Sequence, residues 1–548
     1  MGSSACHAKA AFPGELPMDP LIRGLLRPEA YDHPTDALEL LETHISWVIL
    51  TGPYAYKLKK PVNFGFVDFT TLEQRRFCCE EELRLNRRLA EDLYLSVKPV
   101  FGPRDQASFV GHGQPIEFAV QMRQFPQTAL LPAVLARGEL TGALLDRLAL
   151  DVARFQRTAA VADRESPYGA PDAVRAPVTE NLRILSTSAV GPLAVSASPL
   201  RNLVERLRDW ADGEFSRLAP VFAARKAEGF VREGHGDMHL GNMVLRDAAP
   251  PSPPAARGEP ADEPRIEVFD CLEFNPALRW IDVISEVAFL VMDLADRGRR
   301  DLGWRFLNGW LEATGDYAGL HVWAWYYCYR ALVRAKVAAL RLGQADLTEA
   351  ESARLSQQLG EYLHLGWQAT QIERPRLVIT SGVSGSGKSL FSQLLAAELG
   401  CIRLRSDVER RRLFADPSTR YAPPATAATY ERLLELAKQL LENGFSVIVD
   451  AAFLRRAQRA PFRALAQSLQ VPSRLIEFTA PQELLERRVA ERNLRGHDPS
   501  EATVDVLRRQ LREREPVLAE EGWHVLGCDT SLPDASARLL PALCEFRK

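Results

Sequence analysis

The chain has 548 residues, of which 46% are hydrophobic and 25% are charged, and its formal net charge is −3. This length favours more than one domain, and the composition is typical of a folded globular protein rather than a disordered one. The near-neutral charge balance disfavours a nucleic-acid partner or a membrane surface, and no apolar run is long enough to span a bilayer.

The N-terminal residues and the cysteines both indicate a cytoplasmic protein. Residues 1–17 lack the basic start and the apolar core of a secretory signal, and we expect residues 1–29 to form a flexible tail. The eight cysteines contain no C-x-x-C pair and no metal-ligand spacing, so we expect reduced thiols.

A predicted β-hairpin and the helix after it carry the first candidate binding residues. Residues 45–51 and 54–60 have strand-like patterns and are separated by Gly52-Pro53. Because side chains alternate along a strand, Lys57 and Lys59 are predicted to lie on one face. A helix predicted over residues 71–92 contains three consecutive glutamates, 80–82. A solvated basic strand and a solvated acidic run are the alternatives.

The stretch from His235 to Asn242 has the spacing of the protein-kinase catalytic loop. Asp237 follows His235 by two positions, and Asn242 follows Asp237 by five. In that loop the Asp orients or deprotonates the acceptor hydroxyl, and the Asn is a metal ligand. Residues 266–270 form a short apolar run that ends in Asp270, which supplies a further oxygen ligand for Mg²⁺.

These motifs depart from the protein-kinase pattern in a way that resembles the aminoglycoside phosphotransferase family. Gly236 stands in place of an Arg, and Cys271-Leu272-Glu273 follows Asp270. The resemblance implies an α+β, protein-kinase-like domain over residues 30–370 that phosphorylates small molecules. It also implies that Lys57, with Lys59 beside it, contacts the ATP phosphates and that Glu82 holds the lysine. The turn at Gly52 has one glycine, so the usual glycine-rich phosphate cover is missing.

Two further segments complete the first predicted domain. Residues 247–264 are rich in proline and are expected to be a disordered insertion. Asp282 is expected to brace the catalytic loop. Tyr327, Arg330 and Arg334 share one helical stripe, which fits either a buried aromatic core or a substrate wall.

A second domain is predicted over residues 374–548 because a complete phosphate-binding loop begins there. Residues 382–389 read G-x-x-x-x-G-K-S between a predicted strand and a predicted helix. Backbone N–H groups of such a loop cradle phosphates, the lysine contacts the β- and γ-phosphates, and the serine hydroxyl binds Mg²⁺. The residues assigned to ATP are Gly382, Ser384, Gly385, Ser386, Gly387, Lys388 and Ser389.

Alternating strand and helix patterns after this loop predict an α/β P-loop fold with a parallel sheet. Asp450 ends an apolar strand and is the Walker-B-like candidate for binding the metal through a water molecule. Asp407 lies just past another strand and is the candidate for the acceptor hydroxyl. Arg488 and Arg492 are one turn apart on a helix before Gly496-His497-Asp498-Pro499, and we expect them to close as a lid on the transferring phosphate.

This second half resembles the adenylate-kinase-like kinases, a group that includes gluconate kinase, polynucleotide kinase and the zeta toxins. Most of residues 30–545 resemble a bacterial fusion of an aminoglycoside phosphotransferase-like domain with a P-loop kinase domain. The resemblance implies an enzyme that uses ATP and Mg²⁺ to phosphorylate hydroxyl groups of small molecules at two sites. Catalytic roles fall on Asp237, Asp407 and Lys388.

Two alternatives remain open. In the first, one domain binds ATP only as a regulatory module, and the reduced glycine loop favours the first domain for that role. In the second, the P-loop domain phosphorylates a hydroxyl of a nucleic acid or of a nucleotide sugar. The sequence names neither the acceptor nor the oligomeric state.

Overall fold

The computed structural model describes residues 18–65, 67–194, 198–246, 264–345, 347–371, 373–495 and 502–544. The chain divides into two compact units. Unit 1 comprises residues 1–187 and 211–293, and unit 2 comprises residues 188–210 and 294–548. The sequence-based division at residues 370–374 is a different one and stays a prediction.

The helices and strands are numbered here in chain order. The α-helices are α1 (Pro20–Leu25), α2 (Leu72–Asn86), α3 (Leu131–Ala136), α4 (Gly142–Thr158), α5 (Pro171–Thr187), α6 (Pro199–Ala227), α7 (Pro276–Arg279), α8 (Val283–Asp296), α9 (Arg300–Thr314), α10 (Trp323–Leu342), α11 (Glu349–Ala369), α12 (Lys388–Leu399), α13 (Ser406–Leu413), α14 (Pro423–Glu442), α15 (Arg456–Ser468), α16 (Gln482–Arg495), α17 (Val504–Glu513) and α18 (Ala535–Cys544). The strands are β1 (Glu39–Glu42), β2 (Ser46–Leu50), β3 (Tyr54–Lys59), β4 (Tyr94–Val100), β5 (Glu117–Arg123), β6 (Val231–Glu233), β7 (Met243–Arg246), β8 (Arg265–Val268), β9 (Trp280–Asp282), β10 (Leu377–Ser381), β11 (Ile402–Arg405), β12 (Val447–Asp450), β13 (Ser473–Thr479) and β14 (His524–Asp529).

Unit 1 contains an antiparallel sheet with the strand order β1-β2-β3-β5-β4. The predicted hairpin is confirmed, since β2 pairs with β3 from Ser46 opposite Lys59 to Leu50 opposite Ala55. Helix α2 begins with a capping box at Thr71 and is tied to β5 by the buried ion pair between Arg75 and Glu117. This sheet and the helices after it are compatible with the predicted kinase-like fold, which stays a prediction.

The structure differs from the predicted flexible tail at its C-terminal end. Residues 20–25 form α1, whose cap is the Asp19 side chain accepting from the Leu21 N–H. Leu21, Ile22 and Leu25 are buried in the core of the sheet, because apolar side chains gain free energy when they leave water. Residues 1–17 and all but Pro264 of the predicted insertion lie outside the described residues.

Unit 2 contains a parallel sheet with the strand order β11-β12-β10-β13-β14. The predicted parallel sheet is therefore confirmed. The central strand β10 is buried at every position, as expected for a strand covered on both faces. In such a sheet, ligands bind at the carboxyl ends of the strands, and β10, β11 and β12 each end at or just before a candidate site residue.

Helix α10 in unit 2 carries the predicted stripe of Tyr327, Arg330 and Arg334. In the predicted stripe Arg330 is buried, whereas Tyr327 and Arg334 are partly buried. Trp325 of the same helix and Trp310 of α9 are also buried, which favours a packed aromatic core over an open substrate wall. Among the helices that the structure describes, none is long and apolar enough to cross a membrane.

Candidate active sites

In unit 1 the loop from His235 to Asn242 connects β6 to β7 and is fixed by its own side chains. Gly236 has a φ of 87°, and a Cβ there would lie 2.7 Å from the Leu278 carbonyl oxygen. This crowding explains why a glycine occupies the position. The Asn242 amide nitrogen donates to Asp237 Oδ2 at 2.9 Å and to the Asp237 carbonyl at 3.1 Å. Asp237 and Asn242 are therefore held side by side.

The carboxylates that brace this loop are Glu286 and Asp293, which accepts from the Leu240 N–H at 2.9 Å, and not Asp282. Glu286 Oε1 accepts hydrogen bonds from the backbone N–H groups of His235 and Gly236. Asp282 instead accepts two hydrogen bonds from Arg225, at 2.6 and 2.8 Å, in a buried ion pair. The expectation for Asp282 is wrong because helix α8 places Glu286, one turn later, under the loop.

Asp270 lies next to the loop of residues 235–242 because Phe269, which precedes it, makes two contacts with that loop. The Phe269 N–H donates to the Asn242 carbonyl at 2.9 Å, and the Phe269 carbonyl is 2.9 Å from His235 Nε2. Asp270 has a φ of 64°, an uncommon conformation for a residue with a side chain. Its N–H donates to the Tyr94 hydroxyl at 3.2 Å. This strained backbone is the kind of feature that clusters at functional sites.

Lys57 and Lys59 share the carboxylate of Glu82 but differ in what else they reach. Lys57 Nζ lies 2.8 Å from Glu82 and 2.5 Å from Asp270, and its side chain is 14% exposed. Lys59 is fully buried and contacts Glu82 and Glu273. The contact that the resemblance implied between a strand lysine and Glu82 is thus present for both lysines. Only Lys57 also reaches Asp270.

The pKa values of this cluster follow from burial and from the paired charges. Burial opposes the charged form of Lys57, but the carboxylates of Asp270 and Glu82 raise its pKa well above the usual value. Burial also opposes ionisation of Glu82, yet the two lysines lower its pKa to about 2. Burial raises the pKa of Glu273, and Lys59 lowers it less than burial raises it. The carboxylates of the cluster therefore keep both lysines positively charged although the lysines are largely buried.

One residue of this site that the sequence reasoning missed is His239. Its Nδ1 accepts from the Gly241 N–H at 3.0 Å, so Nε2 carries the proton. That nitrogen lies 3.4 Å from Asp237 Oδ2. His239 stands two residues after Asp237 in the same loop, and this spacing was the available signal.

In unit 2 the phosphate-binding loop has the backbone that its glycines predict. Gly382 follows β10, and a Cβ there would lie 2.7 Å from the Phe478 carbonyl oxygen. Gly385 and Gly387 have φ values of 81° and 86°, which favour glycine. Gly387 precedes α12, whose first residues are Lys388 and Ser389. The loop therefore presents backbone N–H groups at a helix N-terminus, where phosphate binds readily.

A cavity of about 1310 Å³ brings the predicted residues of this half together. Its lining includes Ser384, Gly385, Gly387, Lys388, Ser389, Asp407, Asp450, Arg488 and Arg492. Burial lowers the pKa of Lys388 to about 8, although Asp450 and Asp407 raise it in part. Lys388 Nζ donates to the Val383 carbonyl at 2.8 Å. Gly382 and Ser386 belong to the same loop but are not among the lining residues.

The two predicted lid arginines are both held by neutral groups. Arg488 donates to Thr530 Oγ1 at 2.8 Å and to the Thr530 carbonyl at 2.9 Å, and it lies 3.3 Å from the Gly385 carbonyl. Arg492 donates to the Ala502 carbonyl at 2.9 Å. Arg488 is thus anchored beside the phosphate-binding loop. Residues 496–499, predicted to belong to the lid, lie outside the described residues.

Several polar residues of the cavity were not foreseen from the sequence. Gln510 Oε1 accepts from the Ser384 N–H at 2.7 Å, so an amide oxygen occupies one donor of the phosphate-binding loop. Arg410 donates to the Arg420 carbonyl at 2.9 Å and lies over the Tyr421 ring. Arg410 follows Asp407 by three residues on α13, a helical spacing that was an available signal.

Both predicted Mg²⁺ sites consist of oxygen pairs. Among the described residues no group of three or more His, Cys, Asp or Glu side chains is arranged to hold a metal. Mg²⁺ bound with a nucleotide needs only one or two protein ligands besides phosphates and water. The Asn242 amide nitrogen donates to Asp237, so its oxygen is the atom that could bind a cation together with Asp270. Ser389 and Asp450 line one cavity, and their oxygens suit the same ion.

Comparison with known proteins identifies relatives of the whole chain and of its C-terminal part. Residues 377–517 match the family model described as an AAA domain. Three uncharacterized mycobacterial proteins are each 32% identical over 481 residues, covering 86% of this chain and 88% of the relative. They are Mb2027c of Mycobacterium bovis and MT2060 and Rv2004c of two strains of Mycobacterium tuberculosis. The chain belongs to the family of these proteins.

Solved structures are similar to about a third of the chain. One is Chaetomium thermophilum Kti12 in complex with ADP-AlF3, with a TM-score of 0.27 and 17% identity over 31% of this chain and 97% of that one. A gluconokinase from Sinorhizobium meliloti has a TM-score of 0.24 and 21% identity over 32% and 98%. The APS kinase CysC of Mycobacterium tuberculosis has a TM-score of 0.25 and 22% identity over 32% and 99%.

Loss of Lys59 should destabilise the protein more than loss of Lys57. In Lys59→Met, Glu82 loses one of its two lysines and Glu273 loses the lysine beside it, and breaking a buried pair costs about 3–5 kcal/mol. In Lys57→Met, Glu82 keeps Lys59, and Asp270 is 45% exposed and can be solvated. Thermal unfolding of the full chain should show a clearly larger decrease for Lys59→Met, and adding Glu273→Gln to that variant should recover part of it. Equal decreases for the two lysine variants would contradict this assignment.

Binding of ATP to unit 2 should weaken as the pH rises above about 8, because Lys388 is then deprotonated in the free protein. Its positive charge is no longer present to attract the phosphates. Above this pKa the affinity should fall by up to about tenfold per pH unit. The measurement is calorimetric ATP binding in the Lys57→Met background, which suppresses the contribution of unit 1. Lys388→Arg keeps its charge throughout this range, so its affinity should be nearly independent of pH. The same slope in both proteins would rule out Lys388 as the cause.

Proposed function

We propose that this protein is an ATP-dependent phosphotransferase whose P-loop domain transfers the γ-phosphate of ATP to a hydroxyl group of a small molecule. The observation that carries the proposal is the common lining of one cavity by Lys388, Ser389, Asp450 and Asp407. The first three are the residue types that bind nucleotide phosphates and their cation. The fourth is a carboxylate in the first turn of α13, just after β11, and it is suited to a hydroxyl.

Each group of the cavity has a role in this transfer. The loop N–H groups and Lys388 bind the phosphates and orient the γ-phosphate. Ser389 and Asp450 would hold Mg²⁺, which neutralises charge on the phosphate oxygens when bound. Asp407 orients the acceptor hydroxyl and accepts its proton as the acceptor oxygen bonds to the γ-phosphorus. The bond between that phosphorus and the β,γ-bridging oxygen breaks, and ADP leaves.

Arg488 and Gln510 both contact the loop that is proposed to bind the nucleotide phosphates. Arg488 is already beside the Gly385 carbonyl, where a guanidinium can stabilise charge that develops on the transferring group. The Gln510 oxygen on the Ser384 N–H must give way if a phosphate oxygen takes that donor. Its release accompanies ATP binding in this proposal.

Unit 1 is proposed to be a second phosphotransferase site of the kinase type. Lys57 is paired with Glu82, as expected of a lysine that binds the ATP phosphates. Its contact with Asp270 would have to open when Asp270 binds the cation. Asp237 is the hydroxyl-orienting group, and Asn242 and Asp270 are the Mg²⁺ ligands. The hydrogen bond from Asn242 to Asp237 supports this pairing of roles. Two transfers in one chain would suit successive phosphorylations of one metabolite.

A second candidate function for unit 1 is ATP binding without catalysis. The turn between β2 and β3 is where a kinase-like site covers the phosphates. Its Thr51 and Gly52 N–H groups donate to Gln124 Oε1, at 3.0 and 2.9 Å. These donors are therefore engaged by the protein itself, and they would have to be released, as proposed for the Ser384 N–H, before they could contact a phosphate. A turn that keeps its contacts with Gln124 is the feature that favours the regulatory role.

Phosphate transfer from γ-labelled ATP into a metabolite extract should separate the two sites. We expect Lys388→Ala and Asp407→Asn to lose the same labelled product by about 10²-fold or more. Asp237→Asn should lose a different product if unit 1 is catalytic. The measurement is the amount of each labelled product, separated by chromatography, for wild type and the three variants.

ATP binding by the same variants provides the control. Asp407→Asn should still bind ATP, because Asp407 is assigned to the acceptor and not to the nucleotide. If Asp237→Asn changes no product, unit 1 is the regulatory module. Transfer that survives in both Lys388→Ala and Asp407→Asn would overturn the assignment of unit 2.

A further inference from the structure

Helix α9 lies outside the range matched by the family model, yet it packs against the edge strand of the P-loop sheet. Its Asn308 side chain donates to the Cys401 carbonyl at 2.9 Å and accepts from the Arg403 N–H at 2.7 Å. The outer edge of a terminal strand otherwise leaves such backbone groups unpaired. Asn308 thus fixes β11 against α9 by supplying one donor and one acceptor.

Gly400 is the close-approach position of this contact. It precedes β11 with a φ of 69°, and a Cβ there would lie 3.1 Å from Trp304 Nε1 of α9. A side chain at this position would be strained by its backbone and crowded by Trp304. The helix and the strand are therefore in direct contact along this stretch.

Glu312 follows Asn308 by one helical turn and lies between two arginines of β11. Its Oε1 accepts from Arg403 Nε at 2.8 Å, and its Oε2 accepts from Arg405 Nη1 at 3.3 Å. The two arginines are two positions apart and so lie on the same face of the strand. All three side chains are nearly buried, with 5 to 13% of their surface exposed.

The two arginines extend this contact to both proposed metal ligands of unit 2. Arg403 Nη1 donates to the Ser389 carbonyl at 3.1 Å. Arg405 Nε lies 3.7 Å from Asp450 Oδ2. This distance is short enough for an ion pair but too long for a hydrogen bond. The same Asp450 oxygen accepts from Ser392 Oγ at 3.0 Å. Arg405 therefore lies between two carboxylates, with a hydrogen bond to Glu312 and only a longer ion-pair contact with Asp450.

We propose that Glu312 is a positioning residue of the P-loop site, which holds Arg405 away from Asp450 and so keeps this carboxylate available to the divalent cation. The inference rests on the proposed function, in which Asp450 is a ligand of Mg²⁺. Without the Glu312 charge, Arg405 loses the carboxylate to which it is hydrogen-bonded and moves from its present 3.7 Å contact into a direct pair with Asp450. An arginine hydrogen-bonded to a metal ligand opposes cation binding by its charge and by occupying the oxygen.

The test is the Mg²⁺ concentration that half-saturates the Mg²⁺-dependent part of ATP binding to unit 2. It is measured by calorimetry on the full chain in the Lys57→Met background. Glu312→Gln should raise that concentration by roughly 10- to 100-fold, with a smaller effect on ATP binding in the absence of Mg²⁺. Adding Arg405→Ala should restore the wild-type concentration, because the competing guanidinium is then gone. An equal defect in Glu312→Gln and in the double variant would overturn the proposal.

Asp301→Asn is the matched control, because it removes a carboxylate of the same helix whose partner is Arg299 and not a residue of the site. It should leave the Mg²⁺ dependence unchanged, and the proposal is overturned if it shifts this dependence as much as Glu312→Gln does. If Glu312→Gln does not fold, the Mg²⁺ dependence of the Arg405→Ala single variant provides the test. The proposal expects Mg²⁺ binding as tight as in wild type or tighter, whereas weaker binding overturns it.

Asp450→Asn separates this inference from the proposed function. If Asp450→Asn weakens Mg²⁺-dependent binding and Glu312→Gln does not, the positioning role is wrong and the proposed metal site stands. If wild type itself shows no Mg²⁺-dependent ATP binding, or Asp450→Asn does not change it, the assignment of Asp450 fails, and the positioning role fails with it.

Discussion

One carboxylate placed between two cations of a strand is the constraint on which both units depend. In unit 1, Glu82 contacts Lys57 and Lys59 of β3. In unit 2, Glu312 contacts Arg403 and Arg405 of β11. Cations two positions apart on a strand lie on one face, and burying them requires a shared anion. Each glutamate comes from a helix, α2 or α9, so the same contact also fixes that helix against its strand.

The two clusters divide their cations in the same way. The inner cation, Lys59 or Arg403, is almost fully buried, and it contacts Glu273 or the Ser389 carbonyl. The outer cation, Lys57 or Arg405, is slightly more exposed and approaches an aspartate proposed to bind Mg²⁺, Asp270 or Asp450. In each strand the inner cation therefore stabilises the fold, and the outer cation, two positions away, lies at the proposed site. This arrangement explains why two basic residues of one strand need not share a role.

The parts of the sites that could be read from the sequence are those built by consecutive residues. The loop of residues 382–389 is recognisable because its glycines, lysine and serine act through one continuous backbone. The segment from His235 to Asn242 is recognisable for the same reason, and Asn242 does contact Asp237. The parallel sheet of unit 2 was also predictable, since alternating strand and helix patterns admit few other folds. Residues 20–25 were missed because a six-residue helix has too short a pattern to distinguish it from a tail.

By itself the sequence determined the phosphate-binding loop and the alternation of strands and helices around it, and it predicted a functional loop from His235 to Asn242. Only the tertiary structure decided which distant residues support these loops. Glu286 rather than Asp282 holds the loop N–H groups, Gln124 occupies the β2–β3 turn, and Glu312 reaches β11 from α9. The physical reason is that local motifs depend on backbone conformation set by neighbouring residues. Pairing between charged groups far apart in the chain depends instead on how helices pack against sheets. This packing cannot be predicted from the spacing of residues along the sequence.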